Sequence, residues 1–459
     1  MIQLLLILLS QPCFSSVIPS DGAQTVIYAG ETATGYLALG SLFPSWGGSA
    51  HLVVYTLNET GTVISSGSAS FNGEPVCAAR LPEGAAVVCV DNENGISRLS
   101  YIDESGTEQW VTDFAGGFEA NASVSPSGTD ILLAGNDALT PLIPRVSLLN
   151  SQGDVQWNCD YTENIFEVRD VCSYNDQIFV LGCSQQPGWR SDIELMVTDG
   201  NGGNPQYFSL PCVDGRYSPE AIQVDAGGIF LLVNTMTGSN GMVYDGQLIK
   251  LNFSMEIQWT GTVNGSGWTR GVEMISLADG GFALCGWTNS LPFSESDRSD
   301  LMLCRFNENG ELLWNVTHGT PSTDYGLSLT GVSDGGFAVS GCVTEDLYQG
   351  WVLKTDSLGS IQPQGIEYTE DAGFSVHQLS NPISDGNMSF RVNTSVSRQL
   401  EICIYDMAGR RVTMLNTSAA PGESTINQVL TLPCGIYTVR ISDGISELMF
   451  RSVVLGGSR

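Results

Sequence analysis

An internal repeat is the feature of this sequence that most restricts its fold. Its clearest copies are the Asp-Gly-Gly-Phe segments at residues 279–282 and 334–337, which centre on Gly280, Gly281, Gly335 and Gly336. Weaker copies bring the total to seven, at residues 30–40, 81–89, 125–135, 174–182 and 223–233. Asp-Gly-Gly supplies the positive φ angles that tight hairpin turns require, so each copy predicts a pair of antiparallel strands.

A second element follows each copy: a strand, a turn that usually contains glycine, and another strand. Four of these last strands carry a tryptophan, namely Trp110, Trp157, Trp259 and Trp314. Each repeat of about 45–55 residues therefore encodes about four strands, which suits one propeller blade. Stacking such sheets around an axis buries both of their faces. We predict an all-β chain with a β-propeller of seven four-stranded blades over residues 17–366.

Two features of this propeller have alternative interpretations. Residues 17–28 belong either to the first blade or to a strand that closes the ring by pairing with the last blade. The four tryptophans form either a ligand cage or large rings wedged between neighbouring blades. The wedge is the preferred interpretation because the ring recurs at a fixed point in the sheet.

The charge of the chain excludes one class of partner. Its 49 acidic and 18 basic residues give a formal net charge of −31, and Lys250 and Lys354 are its only lysines. Such a surface repels phosphate backbones, so we expect no nucleic-acid partner. Residues 91–95 and 199–204 resemble calcium loops, but Asp, Asn and Gly are also the usual residues of turns. We expect no cofactor, with calcium as the open alternative, and a monomer.

The N-terminus reads as a signal peptide over residues 1–16. Leu4–Leu9 is an unbroken apolar run, and cleavage after Ser15 would place small residues at positions −1 and −3. No later stretch approaches the ~20 apolar residues that a membrane-spanning helix needs. The eleven cysteines that follow the predicted leader are interpreted as buried thiols. The alternative is disulfides between near neighbours, such as Cys159–Cys172 and Cys403–Cys434, in an oxidising compartment.

The composition changes after a polar linker at residues 367–374. Residues 375–459 contain short strand-like runs without the Gly-Gly repeat, which predicts an Ig-like β-sandwich. Three ordered motifs lie in this unit: Ser-Asn-Pro at 380–382, a Tyr-Asp-Met-Ala-Gly-Arg hairpin at 405–410, and Leu-Pro-Cys-Gly-Ile-Tyr at 432–437.

With these motifs the unit resembles the C-terminal sorting domain of the type IX secretion system. The family positions are taken by Asn381, Pro382, Tyr405, Asp406, Gly409, Arg410, Gly435 and Tyr437. The resemblance implies a Sec-dependent first step, export across an outer membrane to the cell surface or beyond, and the secretion machinery as a partner. The alternative is an Ig-like module without a sorting role.

No catalytic group stands out in the sequence. His51, His318 and His377 lie in different repeats and in the C-terminal unit, and no HExxH, GxSxG or Walker motif occurs. The leading hypothesis is a non-enzymatic binding or adhesion scaffold with an extracellular protein or glycan as ligand. The alternative is a secreted polysaccharide hydrolase or lyase, which should gather two or more carboxylates in a pocket on the propeller axis.

Overall fold

The structure is a computed structural model that describes most of residues 13–454. The residues in that range that it does not describe are 19, 21, 44–49, 70, 72, 92–93, 116–122, 128, 137–142, 165, 187–189, 213–215, 238–242, 264–267, 290–297, 321, 345–346, 362–373, 379–386, 406–410, 430–434 and 443–446. The described residues contain β-strands and no α-helix. They form two compact units, which divide the chain after Gln364.

Seven four-stranded antiparallel sheets make up the first unit, as the repeat predicted. Strands follow one another in sequence within each of the first six blades. Blade 1 comprises β2 (Ala23–Thr32), β3 (Gly35–Phe43), β4 (His51–Leu57) and β5 (Val63–Ser68). Blade 2 comprises β6 (Glu74–Leu81), β7 (Gly84–Asp91), β8 (Ile96–Asp103) and β9 (Glu108–Ala115). Blade 3 comprises β10 (Ser123–Ser127), β11 (Asp130–Asn136), β12 (Pro144–Leu149) and β13 (Val155–Asp160).

The next three blades repeat this order. Blade 4 comprises β14 (Glu167–Tyr174), β15 (Gln177–Gln186), β16 (Arg190–Asp199) and β17 (Gln206–Leu210). Blade 5 comprises β18 (Arg216–Asp225), β19 (Gly228–Thr237), β20 (Val243–Leu251) and β21 (Ile257–Val263). Blade 6 comprises β22 (Thr269–Ser276), β23 (Phe282–Thr288), β24 (Asp300–Phe306) and β25 (Leu312–His318).

Blade 7 joins the two ends of the propeller. Its first three strands are β26 (Thr323–Gly331), β27 (Phe337–Thr344) and β28 (Tyr348–Thr355), and its outer strand is β1 (Phe14–Ile18). The strand that closes the ring is therefore Phe14–Ile18, of which only the last two residues fall within 17–28. From Ala23 onwards the chain forms the first strand of blade 1. The first strands of the seven blades contact one another in a closed ring and line the central channel.

One local turn recurs after the third strand of every blade. The side-chain Oδ1 of an Asn or Asp accepts hydrogen bonds from the backbone N–H groups two and four residues later, which is an Asx-type turn. The seven residues are Asn58, Asp103, Asn150, Asp199, Asn252, Asn307 and Asp356. Three residues further on, the backbone has positive φ at Gly61, Gly106, Gly153, Gly202, Met255, Gly310 and Gly359. The sequence thus encodes seven repeats through local turn chemistry.

The outer-strand tryptophans contact the turn glycine of the following blade. A Cβ atom on Gly310 would lie 2.4 Å from the ring of Trp259, and one on Gly153 would lie 2.5 Å from Trp110. Trp314 meets Gly359 and Trp157 meets Gly202 in the same way, at 2.8 and 3.0 Å. Seven hydrophobic clusters lie at the seven blade-to-blade interfaces, so the core of the propeller is a ring of interfaces.

The two glycines of the Asp-Gly-Gly turn have different reasons to be glycine. Gly280 and Gly335 have φ angles of +81° and +82°, which an L side chain rarely adopts. A Cβ atom on Gly281 would lie 2.3 Å from the carbonyl oxygen of Phe306, and one on Gly336 would lie 2.1 Å from that of Thr355. The second glycine therefore admits the backbone of the third strand.

The second unit contains two antiparallel sheets. Its strands are β29 (Phe374–Gln378), β30 (Asn387–Thr394), β31 (Arg398–Tyr405), β32 (Arg411–Ala419), β33 (Gly422–Val429), β34 (Gly435–Ser442) and β35 (Glu447–Val454). The sheet orders are β29-β30-β33 and β32-β31-β34-β35. Residues of both sheets, among them Phe390 and Ile402, form one core, as in an Ig-like sandwich.

Candidate functional site

A backbone irregularity recurs in the strands that line the channel. Six of the seven inner strands, all except β10, contain a register shift that skips one residue, which lies between the third and the fifth position of the strand. These shifts are β-bulges, which redirect side chains and often border binding sites. The residues that resume the pairing are Tyr28, Cys77, Asp170, Ala221, Glu273 and Ser328. The bulges therefore place one residue from each of these six strands at a common level of the channel.

Asp170 connects three blades at this level. Its Oδ1 accepts hydrogen bonds from the Ser123 hydroxyl of blade 3 (2.7 Å) and the Val171 N–H (2.8 Å), and its Oδ2 accepts one from the Ile222 N–H of blade 5 (2.7 Å). Burial raises the pKa of Asp170 to about 6, although all three hydrogen bonds lower it. Both oxygens are thus committed to holding inner strands together.

Glu273 lies at the same level on blade 6. Burial raises its pKa to about 8, the negative charge of Asp170 adds to the shift, and a hydrogen bond with Ser328 opposes it. The side chain is therefore mostly protonated at neutral pH. Burial also raises the pKa of Cys77, and the charges of Asp170 and Glu273 contribute to that shift, so the three groups share one electrostatic environment.

Two ion pairs lie one step closer to the channel entrance. We call the end of the propeller where the inner strands begin the loop face. Arg169 pairs with Glu167 on β14 at 3.0 Å, and Arg270 of blade 6 pairs with Glu220 of blade 5 at 3.0 Å. The same Glu220 oxygen accepts hydrogen bonds from the Asn234 amide and the Ser218 hydroxyl, each at 3.0 Å. Two of the 18 basic residues of the chain thus lie at the same mouth of the channel.

Each of these two arginines has one buried N–H group without a hydrogen-bond acceptor among the described residues. These groups are at the Nε atoms of Arg169 and Arg270. The Arg270 side chain is 36% exposed, so its guanidinium reaches solvent while it pairs with Glu220.

Three aromatic rings continue this mouth towards blade 7. Trp268 precedes β22, Trp287 pairs in register with Arg270 on the neighbouring strand, and Tyr325 lies on β26. The ring centroids of Trp268 and Trp287 are 6.5 Å apart, and those of Trp287 and Tyr325 are 5.7 Å apart at an interplanar angle of 86°. All three side chains are partly exposed. We call Trp268, Trp287, Tyr325, Arg270 and Glu220 the mouth cluster.

The residues predicted from the sequence lie elsewhere. Trp110, Trp157, Trp259 and Trp314 are on outer strands, and Gly280, Gly281, Gly335 and Gly336 are in turns at the end of the propeller opposite the loop face. None of the motifs noted in the sequence includes a residue of the mouth cluster. The bulge in β18 that positions Glu220 is a feature of strand pairing and leaves no local sequence motif.

The calcium-like loops are turns in the structure. The Asp199 carboxylate accepts hydrogen bonds from the Asn201 and Gly203 N–H groups and from the Asn204 amide. The bond from Gly203 contributes most to holding the pKa of Asp199 below its usual range. Asp91 bonds Asn94, and residues 92–93 lie outside the described part. No group of three or more His, Cys, Asp and Glu in the described ranges is arranged to hold a metal ion.

The cysteines are thiols wherever the structure describes them. Cys159, Cys172 and Cys403 form no disulfide, and Cys434 lies outside the described residues. Among the described residues there is also no helix long and apolar enough to cross a membrane.

The C-terminal motif is partly visible in the structure. Gly435 begins β34, Tyr437 is 6% exposed and packs in the sandwich core, and the Tyr405 hydroxyl accepts a hydrogen bond from Arg440 at 3.3 Å. Asn381, Pro382, Asp406, Gly409 and Arg410 lie outside the described residues.

A family comparison decides what this unit is. Residues 381–455 match the family described as secretion system C-terminal sorting domain. The C-terminal unit is a type IX sorting domain. The sorting domain confirms the resemblance seen in the sequence, and it indicates export to the cell surface or beyond through the type IX machinery.

Other comparisons add no activity. No curated protein matches the sequence. The propeller domain of the Trilobed protease from Pyrococcus furiosus aligns with 9% identity and a TM-score of 0.46, over 75% of this chain and 98% of that one. The AfRom2 CNH domain aligns with 10% identity and a TM-score of 0.44, over 74% of this chain and 99% of that one. The endo-arabinase from Bacteroides thetaiotaomicron aligns with 14% identity and a TM-score of 0.31, over 51% of this chain and 92% of that one. At these scores the blade assignment depends on the strand pairing of this chain.

Proposed function

We propose that this exported propeller is a non-enzymatic binding scaffold that takes a neutral glycan at the mouth cluster. The observation that carries the proposal is the continuity of three partly exposed aromatic rings with the Glu220–Arg270 pair across blades 5 to 7. Aromatic side chains combine large contact area with low conformational entropy, and they suit the apolar faces of sugar rings.

The polar half of the cluster suits hydroxyl groups. Glu220 offers acceptor oxygens and Arg270 offers donors in a fixed planar fork, so both kinds of hydrogen bond are available beside the rings. Since Glu220 is 11% exposed and already bonded to Ser218 and Asn234, its position is fixed before any ligand arrives. Such preorganisation lowers the entropic cost of binding.

Charge favours a neutral ligand. The formal charge of −31 repels polyanions at long range, and the arginine of the mouth cluster is already neutralised by Glu220. A polyuronate or sulfated glycan would meet this repulsion without gaining an unpaired cation at the rings.

One observation favours the hydrolase alternative: Asp170 and Glu273 lie at one level of the channel with different pKa values, about 6 and about 8. A glycosidase uses one protonated and one ionised carboxyl group. However, three hydrogen bonds from three blades occupy both oxygens of Asp170. This commitment favours a structural role for Asp170 and the binding function for the propeller.

The test is a titration of the full chain with soluble polysaccharides. Mixed-linkage β-glucan, galactomannan and arabinan are the neutral probes, and polygalacturonate is the acidic one. We expect the native chain to bind at least one neutral probe, and we expect Trp287→Ala to weaken that binding at least tenfold. Phe253→Ala is the control and should leave the affinity unchanged, because the Phe253 ring is 50% exposed at the opposite end of blade 5. Lack of binding to every neutral probe contradicts the proposal. Release of reducing sugar that Glu273→Gln abolishes would instead establish the hydrolase.

A further inference from the structure

The N-terminal strand β1 occupies the place of a complete fourth strand in blade 7. Residues Phe14 to Ile18 pair antiparallel with Lys354 to Gly350 without a register shift. Phe14 and Ile18 are 6% and 2% exposed, and both belong to the hydrophobic cluster between blades 7 and 1.

Phe14 stands where other blades carry tryptophan. It lies opposite Lys354, as Trp314 lies opposite Arg305 and Trp259 lies opposite Lys250. Like those tryptophans, it contacts the turn glycine of the following blade.

The contact has the same geometry as in the other blades. A Cβ atom on Gly61 would lie 2.2 Å from the Phe14 ring, which compares with 2.4 Å for Gly310 and Trp259. Phe14 also packs edge-on against Tyr36 of blade 1, with centroids 5.1 Å apart.

The two serines that follow are also engaged. The Trp351 indole N–H donates to the Ser15 hydroxyl at 2.9 Å, and the Ser16 hydroxyl donates to the Gly61 carbonyl at 2.5 Å. These bonds connect β1 to its own blade and to the turn of blade 1.

We infer that the exported protein retains residues 14–18, so that leader processing occurs before Phe14. The cleavage position that best satisfies the small-residue rule, after Ser15, lies inside β1 and would remove the Phe14 ring and the Ser15 acceptor from the closing interface. The residue pattern of a leader and the pattern of a blade strand overlap here, and the register of β1 assigns these residues to the blade.

The first test is the N-terminal sequence and intact mass of the exported protein. We expect its first residue to be Phe14 or an earlier one. A mature chain that begins at Ser16 would overturn the inference.

The second test compares otherwise full-length chains that begin at Cys13 or at Ser16. The shorter chain should unfold at a midpoint at least about 3 °C lower, because it lacks the aromatic residue of one interface. Phe14→Ala should reproduce the loss, and Val17→Ala, on the same strand but 41% exposed, should not. Equal unfolding midpoints for the two chains would contradict the inference, because residues 14 and 15 would then contribute nothing to the closing interface.

Discussion

The Nζ atom of Lys354 donates to both carboxylate oxygens of Asp334, at 3.0 and 2.8 Å, with side-chain exposures of 0% and 7%. Blade 6 repeats the arrangement with Arg305 and Asp279, but there the acid is 67% exposed. Removing Asp334 leaves the buried charge of Lys354 without its counter-ion. Arg305 is 9% exposed but also donates to the Phe282 and Phe306 carbonyls, and its exposed partner Asp279 is screened by solvent. We expect Asp334→Asn to lower the free energy of unfolding by about 3 kcal/mol and Asp279→Asn by less than about 1 kcal/mol.

Denaturant unfolding of the two variants measures this difference directly. A loss for Asp334→Asn as small as the one expected for Asp279→Asn would contradict the prediction.

The tryptophan-to-glycine contact predicts different effects for two glycine substitutions. Gly310 and Gly335 both have positive φ, at +78° and +82°, so alanine at either position costs about 1 kcal/mol in backbone strain. A methyl group on Gly335 meets nothing within 4 Å, but one on Gly310 collides with Trp259. Gly310→Ala should therefore destabilise the propeller by roughly 2 kcal/mol more than Gly335→Ala. Thermal unfolding ranks the two, and a reversed order would remove the packing role of the tryptophan.

Glu273 predicts how stability depends on pH. Because its pKa in the folded state is raised to about 8 from 4.5, folding favours the protonated form. Its contribution is complete below pH 4.5 and is lost as pH rises through 8. We expect Glu273→Gln to be more stable than the native chain at pH 8.5, by on the order of 3 kcal/mol, and nearly equal to it at pH 4.5.

Unfolding midpoints at the two pH values check this expectation. Glu74→Gln, at an exposed position of β6, serves as the matched control for the same substitution away from the channel. A Glu273→Gln profile parallel to the native one would exclude this residue as the source.

Two buried asparagines predict another measurable loss. Asn136 accepts from the Val168 N–H and donates to the Phe166 carbonyl, both at 2.8 Å, and Asn234 makes the same pair of bonds with Gly271, at 2.9 Å. Each amide thus holds the inner strand of the next blade. Asn136→Ala and Asn234→Ala should each cost about 2–4 kcal/mol, since two buried backbone groups lose their partners.

The two losses should add in the double variant, because they act at different interfaces. Strong non-additivity would show that the ring responds as one unit.

The sorting domain predicts the location of a truncated chain. Without residues 375–459 the propeller should remain in the periplasm, because the sorting domain is the part that the type IX machinery recognises. Fractionation and immunoblotting of the two forms test this. Appearance of the truncated chain at the cell surface would contradict the sorting role.

Local chemistry explains which features were predictable from sequence. The Asx turns, from Asn58 to Asp356, and the Asp-Gly-Gly turns are written in contiguous residues, so seven repeats were recognisable before the structure. The three C-terminal motifs are contiguous in the same way. Each of these features depends on neighbours in the chain.

The mouth cluster escaped prediction because it is built between repeats. Glu220 and Arg270 are 50 positions apart, and Asp170 and Ile222 are 52 apart, so neither contact is visible within one repeat. The bulges that align these residues depend on pairing register, which composition does not encode. The leader-like residues 14–16 also lie on β1, and the sequence does not reveal this pairing because the partner strand β28 is remote in the chain.

The pairing of β1 with β28 sets an order of folding events. Ser15 and Trp351 are 336 positions apart, so the last sheet of the ring stays incomplete until the two ends of the propeller sequence meet. Closing so long a loop carries an entropic cost that only a preformed row of blades can offset. Until then β28 exposes an unpaired edge, which is the kind of surface that recruits strands from other chains. Pairing with the N-terminal strand covers this edge within the chain itself.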